Sequence, residues 1–307
     1  MKYTLFAVAF CLLFGSFAFA QSGEVNIIPR PQSVSQKEGR FTITKETQIS
    51  VLDKKDRKIA ELLNDYLLAE GGLKLKVVSG PLAYRRPNTI EIGGLGGDII
   101  APPEFYQLNV EPTKVWISGY DLAGRFYGLQ SFLQLISKNA DGKLSSPTVE
   151  IMDKPRFKYR GMHLDVSRHF MPVSFVKRYI DLLAQYKFNQ FHWHLTDDQG
   201  WRIEIKKYPK LTEIGSKRPE SHEGVYSTVF KGDGRPVEGF YTQAEIRDVV
   251  AYAKARYINA IPEIELPGHA SAALAAYPEL GNGCAARDYK FEVKKTWGIF
   301  KEVFCPT

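Results

Sequence analysis

Apolar residues recur at helical spacing twice in the first half of the chain, at Ile59, Leu62, Leu63, Tyr66 and Leu67 and again at Phe126, Leu129, Leu133 and Ile136. Two helices are predicted there. Short strand candidates lie between them at 73–78, 89–92, 105–110 and 115–118. Two helices against a small, largely antiparallel sheet make an α+β domain, expected over residues 21–155. The run Gly93-Gly94-Leu95-Gly96-Gly97 lacks a following Lys-Ser or Lys-Thr and has no third glycine at dinucleotide spacing, so a turn is predicted rather than a phosphate loop. Residues 139–147 read as a surface turn, and Asp153-Lys154-Pro155 as a domain boundary.

After Pro155 the rhythm becomes strand, helix, strand, helix, strand. Residues 160–166, 190–195 and 259–265 read as buried strands. Phe175, Tyr179, Leu182, Leu183 and Tyr186 form one helical face. Thr242-Gln243-Ala244-Glu245 is a capping box that opens a helix with Ile246, Val249, Val250 and Ala253 on its buried side. Such alternation predicts an α/β fold with a parallel sheet, whose strand ends lie side by side. Each strand runs into polar residues: Ser167-Arg168-His169, then Thr196-Asp197-Asp198-Gln199-Gly200-Trp201, then Pro267-Gly268-His269.

Strands buried on both faces are usually apolar throughout, but these alternate. Met162, Leu164 and Val166 oppose His163 and Asp165; Phe191, Trp193 and Leu195 oppose His192 and His194; Ile264 opposes Glu263 and Glu265. With the apolar side on the helices, the inner side carries three histidines and three carboxylates, which must pair to be buried. A mutually hydrogen-bonded lining and a metal site built on His-x-His both fit this pattern. Beyond the strand ends, Arg168 offers a planar fork of donors, and Asp197 can accept from His269 or from a ligand. An ion pair between Arg168 and Asp197 is the structural alternative. His169 and Asp198 read as structural, and Trp201 suits either a sugar face or the core.

Lys2 followed by the apolar run Leu5 to Phe19 and Ala18-Phe19-Ala20 fits a secretory signal over residues 1–20. Its removal takes away one charge, Lys2, and lowers the net charge from +7 to +6. Acidic and basic residues are interleaved throughout, which gives no support to nucleic-acid binding, and no later stretch is long enough to span a membrane. Secretion or a periplasmic location is expected. In that oxidising setting Cys284 and Cys305 are disulfide candidates, closing a loop worth roughly 3 kcal/mol in the chain-entropy model.

The stretches R-G-M-H-L-D-V-S-R-H-F (160–170), F-H-W-H-L-T-D-D-Q-G-W-R-I (191–203), I-P-E-I-E-L-P-G-H (261–269) and D-L-A-G-R-F-Y-G-L-Q-S-F-L-Q-L (121–135) closely resemble glycoside hydrolase family 20, the β-N-acetylhexosaminidases. The resemblance implies a (β/α)8 barrel behind an α+β domain, without cofactor or metal. It further implies cleavage of terminal β-linked N-acetylglucosamine or N-acetylgalactosamine from oligosaccharides or glycoconjugates, with the substrate's own acetamido oxygen as nucleophile. By motif match Arg168 binds the sugar's outer hydroxyls, and Asp197 with His269 forms a relay supporting the acid. Glu265, which stands where many relatives carry aspartate, is expected with His269 in that supporting relay.

One departure matters. The family's polarising Asp and acid Glu form an adjacent pair after a His-x-Gly-Gly run, and no Asp-Glu dipeptide occurs in these 307 residues. About 150 residues follow Pro155, against about 250 in a typical barrel. The expectation is therefore an incomplete (β/α)8 domain over 156–307, holding the first three β/α units, with no catalytic residue of its own and the Asp-Glu pair beyond Thr307. Alone, it is expected to be inactive and to aggregate. A non-catalytic sugar-binding protein and a metal-dependent hydrolase are the competing readings.

Overall fold

The computed structural model describes residues 25–81, 86–97, 99–224, 229–281, 283–284, 286 and 289–306. The expected signal at 1–20 lies outside them. Among the described residues no helix is long and apolar enough to cross a membrane.

The first half contains β1 (Ser33–Thr42), β2 (Gln48–Val51), α1 (Arg57–Gly71), β3 (Lys76–Ser79), β4 (Thr89–Gly94), β5 (Tyr106–Glu111), β6 (Lys114–Gly119), α2 (Leu122–Leu135), β7 (Ser137–Lys138) and β8 (Leu144–Asp153). Their strands form one sheet in the order β1-β8-β5-β6-β4-β2-β3, with β7 added to β8. The sheet is mixed rather than largely antiparallel. β2 pairs in parallel with β3 and β4, and β4 with β6, while β5 and β8 pair antiparallel with their neighbours. α1 carries the chain back between β2 and β3, and a crossover of that kind enforces parallel pairing.

Tyr106, Leu108 and Val110 on β5 and Val115 and Ile117 on β6 point to one buried face, with the two-residue period of a half-covered strand. That face receives Leu63 and Leu67 from α1 and Phe126, Leu129 and Phe132 from α2, all nearly solvent-free. Each such side chain stabilises by about 1.5–3 kcal/mol on burial. Gly93 and Gly94 complete β4 instead of forming a turn, and a Cβ at Gly93 would fall on the Leu52 side chain. The turn expected over 139–147 is confined to 139–142, where Asn139 Oδ1 accepts from the amides of Asp141 and Lys143. From Leu144 the chain is already β8.

In the second half β9 (Gly161–Asp165), α3 (Val173–Gln185), β10 (Gln190–His194), α5 (Gln243–Lys254) and β15 (Asn259–Glu263) alternate, and the strands form a parallel sheet in the order β15-β10-β9. Between β10 and α5 lie a tight hairpin of β11 (Thr196–Asp197) and β12 (Gly200–Trp201), the short α4 (Lys210–Glu213), and a ribbon of β13 (Lys217–Arg218) with β14 (Val237–Glu238). Helix α6 (Ser271–Ala276) follows β15. Only β10 is buried as expected. β9 and β15 are half-exposed, Met162 reaching 45%, because each has a strand neighbour on one side only among the described residues.

The expected capping box is formed: Thr242 Oγ1 accepts from the Glu245 amide at 3.2 Å and Glu245 Oε2 from the Thr242 amide at 2.8 Å. The halves are joined by buried cations. Arg160 pairs with Glu104 at 2.8 Å and donates to the Lys187 carbonyl at 2.7 Å, while Lys187 Nζ donates to Tyr106 Oη at 2.9 Å. Cys284 and Cys305 are bonded, with Cα atoms 5.5 Å apart.

Candidate active site

The ends of β9, β10 and β15 deliver their polar residues to one mouth. The turn of the β11–β12 hairpin consists of Asp198 and Gln199, which folds Asp197 back over the strand ends. Gly200 lies under the Arg202 guanidinium, where any Cβ would collide with it. Arg202 is fully buried and donates to the carbonyls of Ser167, Ser216 and Gly239 at 2.8, 2.7 and 2.9 Å, so one side chain fixes three loops. Burial pushes its pKa down to about 10, leaving it charged at neutral pH.

Arg168 is the centre of the mouth. Its Nη1 donates to Asp165 Oδ2 at 2.9 Å, Nη2 pairs with Asp197 Oδ2 at 2.5 Å, and Nε donates to Gln199 Oε1 at 3.1 Å. Nη1 also lies 3.2 Å from His194 Nε2; a guanidinium carries five N–H groups, so these contacts leave one, on Nη2, for a ligand on a side chain that is 33% exposed. The ion pair with Asp197 is therefore real, and it leaves a donor over.

Asp197 is completely buried. Its oxygens accept from Arg168, from the Asp198 amide at 2.7 Å, and face His194 Nε2 at 2.9 Å and His269 Nδ1 at 3.1 Å. Burial opposes its charge, but the His194 hydrogen bond, the Asp198 amide and the Arg168 and His269 charges together hold its pKa below the ordinary range. Asp197 has no exposed side-chain surface, and its oxygens meet Arg168 and His269. His269, in the left-handed region at φ 48°, is also 3.1 Å from Asp198 Oδ2. Asp198 Oδ1 in turn accepts from the Ser271 amide at 3.0 Å and its hydroxyl at 2.6 Å, which ties Asp198 to the start of α6.

Beneath the mouth, Glu263 is the hub of the polar lining. Its Oε2 lies 2.6 Å from His194 Nδ1, 2.7 Å from His192 Nε2 and 3.6 Å from His163 Nε2. His194 therefore has a carboxylate on each ring nitrogen. Burial disfavours its cation, yet the Asp197 and Glu263 hydrogen bonds outweigh burial and raise its pKa. The Glu263 carboxyl, opposed by burial but bonded to His194 and Glu265, falls to about 2. Glu265 is raised by burial and by its contact with Glu263. Its carboxylate stands 4.0 Å from His194, and the His269 charge also acts on it, so it lies between this lining and the Asp197–His269 pair.

Three sets offer metal-ligand atoms within 4.8 Å of one another: His163, His192 and Glu263; His194, Glu263 and Glu265; Asp197, Asp198 and His269. Ion–ligand bonds are about 2.0–2.2 Å. In the first two sets the N···O contacts at 2.6 and 2.7 Å are direct hydrogen bonds, and a cation would have to part them. Trp201 is core, 7% exposed beside Leu211 and Ala272, its Nε1 donating to the Ile203 carbonyl at 2.7 Å. Sequence reasoning passed over Gln199 and Trp297. The latter ring lies 5.4 Å from His169 and under Arg218; its only signal was an aromatic in an otherwise unpatterned tail.

The model of glycosyl hydrolase family 20, domain 2, matches residues 24–154, and that of the family's catalytic domain matches residues 157–307. The chain belongs to glycosyl hydrolase family 20. A family 20 relative, the beta-hexosaminidase of Porphyromonas gingivalis, is 41% identical over 99% of this chain and 39% of its own length; that of Vibrio furnissii is 40% identical over 83% and 40%. The chain thus spans about two fifths of these relatives. Among solved structures, Streptomyces plicatus N-acetyl-beta-hexosaminidase in complex with Thio-NAglucal superimposes with a TM-score of 0.76 at 34% identity, covering 91% of this chain and 52% of that one. The family 20 exo beta-N-acetylglucosaminidase of Vibrio harveyi in complex with N-acetylglucosamine gives 0.74 at 33%, covering 91% and 42%. These neighbours carry a TIM-barrel catalytic domain behind an N-terminal domain.

Proposed function

We propose that this chain carries the sugar-clamping part of a β-N-acetylhexosaminidase, a glycoside hydrolase that removes terminal non-reducing β-linked N-acetylglucosamine or N-acetylgalactosamine with retention. The observation that carries this reading is the convergence of Arg168, Asp197 and His269 on one mouth. The remaining N–H group of Arg168 suits a sugar hydroxyl. The Asp197–His269 pair is arranged to hold or accept a proton beside it, as support for an acid that protonates the leaving oxygen.

On this reading β9, β10 and β15 are the first three strands of a (β/α)8 barrel within 156–307, preceded by an α+β domain over 21–155 and a signal at 1–20, in a secreted or periplasmic protein. The Cys284–Cys305 bond suits such a compartment. No Asp-Glu dipeptide is present, so the 307 residues alone hydrolyse nothing, and the polarising and acid carboxylates come from elsewhere in the full reading frame.

The test pairs the 307-residue chain with the product of that full frame on nitrophenyl β-N-acetylglucosaminide, the anomer formed being followed by NMR. Hydrolysis by the longer protein alone, with the β-anomer released first, is expected. Turnover by the isolated chain would mean that the acid is misassigned. Sugar binding without turnover in the longer protein would favour a non-catalytic lectin-like role. Activity abolished by a chelator and restored by zinc would favour the histidine lining as a metal centre.

A further inference from the structure

The described residues of the last stretch, 283–284, 286 and 289–306, contain no helix or strand. Its shape is set by the Cys284–Cys305 bond, which closes a span of 21 residues, and by hydrogen bonds to the site. The Lys294 amide donates to the Asp198 carbonyl at 2.9 Å, the His222 amide to the Lys295 carbonyl at 2.8 Å, and the Phe304 amide to the Pro267 carbonyl at 2.9 Å. Lys295 pairs with Glu220 at 2.9 Å. The segment is thus a strap laid across the turns that hold Asp198 and His269.

Gln199 is the side chain that joins this strap to the guanidinium. Its Oε1 accepts from Arg168 Nε at 3.1 Å, and its Nε2 donates to the Thr296 carbonyl at 2.9 Å. Both ends of one planar amide are used, and Gln199 is buried, so a shift of Thr296 is felt at Arg168. Trp297, the next residue, packs edge-on against His169 and beneath Arg218. Arg218 itself donates to the carbonyls of Gln199 and Arg168 at 2.8 and 2.6 Å, so the strap is linked through Arg218 to the Arg168 backbone and through Gln199 to its side chain.

We propose that Gln199 is a positioning residue that ties the sugar-binding guanidinium of Arg168 to the disulfide-closed strap, so that the strap sets the affinity of the mouth for a hexosamine. This rests on the reading of the mouth as a hexosamine site. An Arg168 held by Asp165, Asp197, Gln199 and His194 offers its remaining donor in one orientation, and binding then costs less side-chain ordering. With the strap released, Gln199 loses its second anchor and Arg168 must be ordered by the ligand.

The test measures Kd for N-acetylglucosamine by calorimetry, and kcat and KM on the nitrophenyl glycoside, for the protein expressed from its full reading frame. Four forms are compared: wild type, Gln199→Leu, Cys284→Ser with Cys305→Ser, and all three changes together. The expected result is a rise in Kd and KM of about tenfold in Gln199→Leu and in the double serine form, with kcat changed by about twofold or less. The combined form should be no worse than either, as for coupled changes. Independent, multiplying effects would overturn the proposal, and so would a Kd that does not move when the disulfide is removed. A loss confined to thermal stability, with Kd intact, would reduce the strap to a structural staple and overturn it too. Wild type that binds the sugar but fails to cleave the glycoside would sink the enzymatic reading and leave the Kd comparison valid; wild type that binds no sugar would sink both.

Discussion

At the residue scale the site is decided by which donors remain after the protein has satisfied itself. Arg168 commits four of its five N–H groups to Asp165, Asp197, Gln199 and His194 and keeps one. Arg168→Lys retains the charge but not the fork, so binding of N-acetylglucosamine by the full reading-frame product should weaken by at least about tenfold while the fold, followed by circular dichroism, is unchanged. Acid sensitivity belongs to the carboxylates beneath. The folded-state pKa of Glu263 lies near 2, below its ordinary value of 4.5, so the stability it contributes is complete above pH about 4.5 and is lost as pH falls toward 2. A Glu263→Gln variant should therefore show a smaller loss of melting temperature between pH 5 and pH 3 than the wild type, as read by scanning calorimetry. Equal losses would mean that His194 draws its stabilisation elsewhere.

At the scale of elements, what could be read from the sequence was whatever carried a period or a cap. The helix from Gln243 to Lys254 is opened by the Thr242–Glu245 box, and Thr242→Ala should cost about 1 kcal/mol in a denaturant titration. The inward and outward faces of β10 follow from Phe191 and Trp193 alternating with His192 and His194, and the arrival of Arg168, Asp197 and His269 at common strand ends follows from β/α alternation. β1 was not legible because Ser33 to Arg40 are all exposed and show no alternation. β8 was hidden because Pro147 reads as a turn signal, although it sits where the β1 register shifts between Gln36 and Arg40, a place where a missing N–H is tolerated. Gln199 was missed for a different reason: a buried amide that bonds forward to Arg168 and across to Thr296 has no sequence period at all, since its partners lie 31 and 97 residues away.

At the scale of the whole molecule the two halves meet on charge as much as on apolar surface. Lys187 lies almost fully buried between them, 3.6 Å from Asp153, and burial lowers its pKa from 10.5 to about 8, against the raising effect of Asp153. The unfolded chain holds that proton up to about pH 10.5 and the folded chain releases it near 8, so between these values the unfolded state binds more protons and stability rises with pH. Relative to Lys187→Met, which lacks the group, the wild-type protein should gain melting temperature from pH 7.5 to 9.5; a flat difference would show that Asp153 keeps the ammonium charged. The parallel sheet is less self-contained than the mixed one. β9 and β15 each present a row of main-chain amides and carbonyls with no strand partner among the described residues, and such rows recruit extended chain from any source. For the isolated 307 residues, dilution rather than cooling should then govern how long a sample stays monodisperse, with light scattering growing steeply in protein concentration at a temperature where ellipticity is constant.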